Sequence, residues 1–292
     1  MPKNYRKENW RIGKLSEKDE EKLFRASPIY LAPITVSLII GIICSFLFLN
    51  ANVEVPSITI MPETGIGSIS NAVYFVILIA IGAYLMYFLL KKKVHFGIRL
   101  IIGIAVSAIT FTLSILYFDL LFVILNWSVG LWALLLLGVL SVLIVDYFIF
   151  LSEGAITCLV ILLLGGSLGA FLGITIPALS AVFILLLLAV YDVLAVYYGP
   201  IGKIASHGLE NLPGVTFNFK EVHVGLGDLT FYSMLISNAL ISFGWKACMF
   251  AFVGILIGSY VAFKLLERKG MFPGLPIPIV LGLTLIYLSN IL

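Results

Sequence analysis

Charge is scarce in this sequence. Only 11% of its 292 residues are Asp, Glu, Lys or Arg, where soluble domains carry roughly 25%. So little charge cannot cover a water-exposed surface, which excludes a soluble enzyme. Cysteine and histidine number three each. Cys44, Cys158 and Cys248 are odd in number and lie in apolar stretches, so they read as buried thiols without a disulfide framework. His95, His207 and His223 are far apart and follow no Cys/His spacing. No metal and no cofactor is therefore expected. The basic residues form no long run with interleaved aromatics, which argues against nucleic acid. The first 28 residues have no apolar core of the kind a signal peptide needs.

Apolar sequence fills the space that charge leaves. Hydrophobic residues make up 61% of the chain, and about 20 in a row suffice to cross a bilayer as a helix. Nine such runs are read near 29–49, 70–90, 98–126, 130–151, 154–175, 178–198, 222–242, 245–266 and 274–292. Within 98–198 the runs almost touch, and we divide them at Asn126-Trp127-Ser128, Ser152-Glu153-Gly154 and Thr175-Ile176-Pro177. The fold class is thus an all-α polytopic membrane protein of nine spans, with the lipid bilayer as its first partner. Three parts follow: a tail over 1–28, a five-span scaffold over 29–175, and a four-span part over 176–292 that holds the candidate chemistry.

The few charges orient the chain. Eight Lys/Arg lie in the tail, and Lys91, Lys92, Lys93, Arg99, Lys203, Lys220, Lys264, Arg268 and Lys269 fall in even-numbered loops. With the N-terminus cytoplasmic, 17 of 18 basic residues are inside and only Lys246 is not, a strong positive-inside bias. This predicts a multi-pass protein of the cell membrane with its C-terminus outside; two spans fewer would preserve the same bias, so seven is the alternative count. Ser16 and Asp19 resemble a capping box for a short tail helix to Arg25, although a solvated orientation signal accounts for the tail as well. Gly165, Gly169 and Gly173, and Gly254 with Gly258, have the spacing that lets helices approach closely. Packing within the chain is the expected use.

A carboxylate deep in a membrane is costly, so acids inside spans carry the most information. Asp119 is near an outer interface and Asp146 near an inner one, within reach of a neighbouring helix. Asp192, in Val190-Tyr191-Asp192-Val193, and Asp228, in Gly225-Leu226-Gly227-Asp228, have no such relief. Each lies seven residues from a cytoplasmic boundary, at Gly199 and Glu221, so both are expected about 10 Å inside the same face. Adjacent antiparallel helices would bring them together. Two such carboxyls share one proton, and the pair can activate water and polarise a carbonyl. Gly225 and Gly227 would permit unusual backbone angles and close approach of another chain. Pro273-Gly274-Leu275-Pro276-Ile277-Pro278 interrupts helix at the start of the last span. Irregular backbone at that depth belongs beside protein or a wet cavity.

At these residues the chain resembles the presenilin and signal peptide peptidase family of intramembrane aspartyl proteases. Tyr191-Asp192 matches that family's sixth-span motif, Gly225-Leu226-Gly227-Asp228 its seventh-span motif, and Pro273-Gly274-Leu275-Pro276 its Pro-Ala-Leu motif at the ninth. The likeness is strongest over 180–292, and Gly225 to Leu235 is especially presenilin-like. Gly274 stands where the family has alanine. The segment between spans six and seven, about 23 residues, is far shorter than the presenilin loop that is cut during maturation, and the compact form resembles a prokaryotic, archaeal-type member.

The resemblance implies hydrolysis of peptide bonds within transmembrane helices by Asp192 and Asp228, using water and no metal. Tyr191, Gly225, Leu226 and Gly227 would support the site, and Pro273, Gly274, Leu275 and Pro276 would shape the substrate groove. Substrates would be transmembrane proteins whose N-terminus lies outside. The alternation in 215–220, Val-Thr-Phe-Asn-Phe-Lys, predicts a strand that could pair with an unwound substrate or serve as a plain linker. A prepilin-type peptidase, a cation-coupled transporter or leak pathway, and a silent helix chaperone are the rival readings.

Overall fold

A computed structural model describes residues 25–51, 53, 56–92, 94–152, 154–197, 216–219, 222–269 and 272–291. The expected tail helix before Arg25 lies outside the described residues, as do Glu153, Gly199, Lys203, His207, Lys220 and Glu221.

A short 3-10 turn, Pro28–Leu31, leads into α1, Ala32–Ala51. Then follow α2 (Gly65–Lys91), α3 (His95–Ile124), α4 (Leu131–Phe150), α5 (Ala155–Thr175) and α6 (Ala178–Tyr197). Strands β1 (Thr216–Phe219) and β2 (Val222–Gly225) form a hairpin, before α7 (Leu226–Lys269) and α8 (Pro276–Ile291). The breaks expected within 98–198 are all present. Asn126 adopts a left-handed φ of 54° just after α3, Gly154 one of 112° just before α5, and the Pro177 carbonyl accepts the first hydrogen bond of α6 from Ala181.

Seven helices among the described residues are long and apolar enough to cross a membrane, with a shorter apolar helix over Pro276–Ser289. The nine expected runs differ from this mainly at the C-terminal end, where the ninth is a helix too short to count among the seven. The runs at 222–242 and 245–266 are one 44-residue element, α7, interrupted at Gly244, whose φ of 83° is not helical. Phe243, Trp245 and Lys246 around the break are exposed. Tryptophan and lysine beside a broken helix suit a membrane–water interface.

Outward-facing side chains are large and apolar, as lipid contact requires. Trp132 is 84% exposed to whatever surrounds the protein and Ile66 83%. Inside, the first half of α7 is the hub, buried at every position from Tyr232 to Leu240. Close packing around it rests on small residues. A Cβ at Gly169 of α5 would stand 2.3 Å from the Thr230 carbonyl oxygen, and one at Gly173 2.5 Å from that of Met234. On α1, a Cβ at Gly41 would touch Ser233 at 3.1 Å. Gly254 and Gly258 receive α8, at Gly282 and Pro278. The two glycine stripes are therefore used within the chain.

Buried polar groups tie the same helices. Asn238 donates to the carbonyls of Gly173 and Ile176 at 2.9 and 3.0 Å. Asp146 accepts from Ser107 of α3 at 2.6 Å, the neighbouring-helix bond foreseen for it. On the far side, the loop before α2 is fastened to α6. Asn71 brackets the Met61 backbone and reaches Ser180, and Glu63 accepts from the Leu179 amide at the start of α6.

Candidate active site

Asp192 lies on α6, five residues before its end at Tyr197. Asp228 lies in the first turn of α7. The expected helix from 222 does not exist there, because Val222–Gly225 is extended and pairs antiparallel with Thr216–Phe219, Phe219 opposite Val222 and Thr216 opposite Gly225. β-Branched residues favour that pleated pairing over helix. Asp228 is thus not several turns into a helix. It occupies the N-terminal turn, where unpaired amides and the helix dipole favour negative charge.

The interrupted segment before α8 brings the acids together. Pro273 and Leu275 are buried and Gly274 is half-buried. The Leu275 amide donates to Asp192 Oδ2 at 3.0 Å. A Cβ on Gly274 would lie 2.8 Å from Asp228 Oδ2. Both half-buried carboxylates therefore meet two adjacent residues of one loop. The irregular backbone is narrower than expected. Helix α8 begins at Pro276 and includes Pro278, since the first turn of a helix has no use for those missing amides.

Gly225 and Gly227 also differ from expectation. Neither has a positive φ, and a Cβ on either would make only ordinary contacts, at 3.8 Å to Asp228 and 3.9 Å to Phe231. Their backbone angles do not require glycine. Gly227 is exposed, so the approach to Asp228 is kept bare. Leu226 packs toward Gly165 of α5, and Tyr191 is half-buried beside Asp192.

Some neighbours of the acids escaped the motif reading. Tyr232, one turn beyond Asp228, donates its hydroxyl to the Gly274 carbonyl at 2.8 Å, and Ser259 lies beside that hydroxyl. Asp228, Tyr232, Ser259, Phe263, Pro273 and Ile34 of α1 all line one cavity of about 110 Å³. The i to i+4 spacing of Asp228 and Tyr232 places them on one helix face, so that signal was legible. Ile34 and Ser259 had none. Among the described residues, no group of three or more His, Cys, Asp or Glu could hold a metal ion.

Fold and site define a polytopic helical membrane protein in which two span-borne carboxylates meet at the loop before the last helix. Known proteins share this fold. Residues 202–292 match the family model described as Presenilin. Presenilin-B of Dictyostelium discoideum is 33% identical over 126 residues, 39% of this chain and 26% of that protein. The chain thus spans about a quarter of the length of that curated relative. Two crystal forms of a presenilin family intramembrane aspartate protease superpose with a TM-score of 0.64 and 18% identity, covering 89% of this chain and 96% and 95% of theirs. The chain has the presenilin-family fold, and its C-terminal third, which holds Gly225-Leu226-Gly227-Asp228 and Pro273–Pro276 but not Tyr191-Asp192, matches that family's model.

Proposed function

We propose that this protein is an intramembrane aspartic endopeptidase that hydrolyses peptide bonds within transmembrane helices, with Asp192 and Asp228 as the catalytic pair. The convergence of both carboxylates on Gly274 and Leu275 carries this reading. One ionised carboxylate accepts a proton from water as its oxygen attacks the scissile carbonyl carbon. The other, protonated, hydrogen-bonds the carbonyl oxygen and neutralises the growing charge. Collapse of the resulting gem-diol breaks the C–N bond, with the proton passing to the leaving amine. Every step is served by two carboxyls and a water.

The topology follows the same reading. Either side of Gly244, α7 has 18 and 25 residues, about 27 and 38 Å of helix, the first just short of a hydrocarbon core of about 30 Å and the second beyond it, and both within the roughly 17–25 residues of membrane-spanning helices. We count these as spans seven and eight and α8 as span nine. The basic-residue bias puts the N-terminus and the acid pair on the cytoplasmic side and the C-terminus outside. Bound substrates are then transmembrane helices with an outer N-terminus, held by Tyr191, the bare Gly225–Gly227 approach, and Pro273–Pro276. Among the described residues, strand β1 pairs on one edge only, with β2. Its other edge is available to an unwound substrate segment by strand addition.

The test is cleavage of transmembrane reporters of both orientations by the purified chain in liposomes. We expect the reporter with its N-terminus outside to be cut, and cut better, and Asp192→Ala and Asp228→Ala to be inactive. Better cleavage of the inverted reporter contradicts the orientation. Ion flux that Asp192→Ala abolishes, without proteolysis in the wild type, would favour the cation pathway instead.

A further inference from the structure

Gly274 C=O and Leu275 N–H belong to one peptide group, and each is held by a different partner. The oxygen accepts from Tyr232 of the Asp228-bearing helix at 2.8 Å. The amide donates to Asp192 Oδ2 at 3.0 Å. A trans peptide is planar and directs its C=O and N–H to opposite sides. Fixing the oxygen therefore aims the amide. The third face of the unit meets Asp228, whose Oδ2 would stand 2.8 Å from a Cβ on Gly274, closer than real Cβ atoms come.

We infer that Tyr232 and Gly274 form a clamp on this single peptide plane, with Tyr232 a positioning residue that sets the relative placement of the two aspartates. The inference rests on the proteolytic reading above. Tyr232 is 3% exposed, so its ring is fixed by packing and its hydroxyl has little freedom to lose. Without that hydroxyl the Gly274 carbonyl loses its anchor to α7. The peptide can then rotate and withdraw the amide from Asp192. A side chain at 274 has the complementary effect, pressing on the Asp228 carboxylate from the other side. A methyl group at 274 requires the Asp228 carboxylate to turn aside.

The experiment uses the full-length chain in liposomes, with a transmembrane reporter and titration of active sites by a peptide bearing a hydroxyl isostere of the gem-diol. In Tyr232→Phe, kcat per titrated site falls between about threefold and tenfold, the worth of one hydrogen bond. KM is unchanged, the isostere binds more weakly by the same factor, and the thermal midpoint falls by no more than the loss of one hydrogen bond. In Gly274→Ala, kcat falls by up to about tenfold, as the Asp228 carboxylate turns aside by a fraction of an ångström. The double variant loses less than the product of the two factors, because both act on one peptide. A purely structural tyrosine gives a lower thermal midpoint and fewer titrated sites, with wild-type kcat at each; that result, or wild-type values throughout, overturns the clamp. If the wild type cleaves, the aspartate variants do not and Tyr232→Phe is unaffected, only the clamp falls. If the wild type does not cleave, the proteolytic reading falls and the clamp falls with it.

Discussion

Replacing Gly169 by alanine tests how the scaffold holds the site. Gly169 is on α5, opposite the helix that begins beside Asp228. The added Cβ would stand 2.3 Å from the Thr230 carbonyl oxygen, 2.5 Å from Ser233 Cβ and 2.9 Å from the Met234 amide nitrogen, where real Cβ atoms keep at least 3.0 Å. Two of these obstacles are backbone and cannot rotate away. Helices α5 and α7 must part by about 0.7 Å, an overpacking strain worth typically 1–3 kcal/mol. Thr230 is two residues from Asp228, so the shift reaches the carboxylate almost undiminished. A 1 Å misplacement of a reacting group costs on the order of 100-fold in rate. We expect Gly169→Ala to lower the thermal midpoint and to reduce reporter cleavage per folded molecule by one to two orders of magnitude, on the order set by that misplacement. Gly82→Ala on α2, where the same atom meets nothing within 4 Å, should be neutral or stabilise by about 0.5–1 kcal/mol. Wild-type turnover and midpoint in Gly169→Ala would refute the packing argument.

Asn238→Ala removes both side-chain donors to Gly173 and Ile176 and leaves a buried carbonyl unpaired, so unfolding in denaturant should show a loss of about 1–3 kcal/mol. Asp146→Asn keeps an acceptor for Ser107, and cleavage assays should find activity within about twofold of wild type, since neutral and charged acceptors both satisfy that hydroxyl; a dead variant would bring Asp146 into the chemistry. Asn218→Pro should slow reporter cleavage more than Asn218→Ala if β1 receives substrate, because proline removes a backbone donor; equal effects argue against strand addition.

Much of this architecture was legible in composition. Apolar runs and the residues between them gave the breaks at Asn126, Gly154 and Pro177, because backbone at lipid depth must be helical and loops must be polar or special. The hairpin was half legible. The alternation over 215–220 announced β1, but Val222–Gly225 is a short apolar run, and periodicity cannot separate strand from helix over four residues. That error placed Asp228 seven residues into a helix from Glu221, when it lies in the first turn. The acids meet nonetheless, since the loop before α8 reaches both. Prolines 276 and 278 read as breakers although they open α8, and the difference depends only on where the helix begins. Tyr232 was visible as an i+4 neighbour of Asp228, but its partner is a carbonyl 42 residues away, and no local pattern encodes that.

The central claim is that Asp192 and Asp228 act as one unit. The most direct measurement is reporter hydrolysis in liposomes by wild type, Asp192→Asn, Asp228→Asn and the double variant, each shown to be folded by its thermal midpoint. Groups that act together are non-additive. We predict that either single substitution reduces cleavage to background and that the double variant is no worse. Cleavage that persists in either single variant, or falls stepwise from single to double, would contradict the dyad.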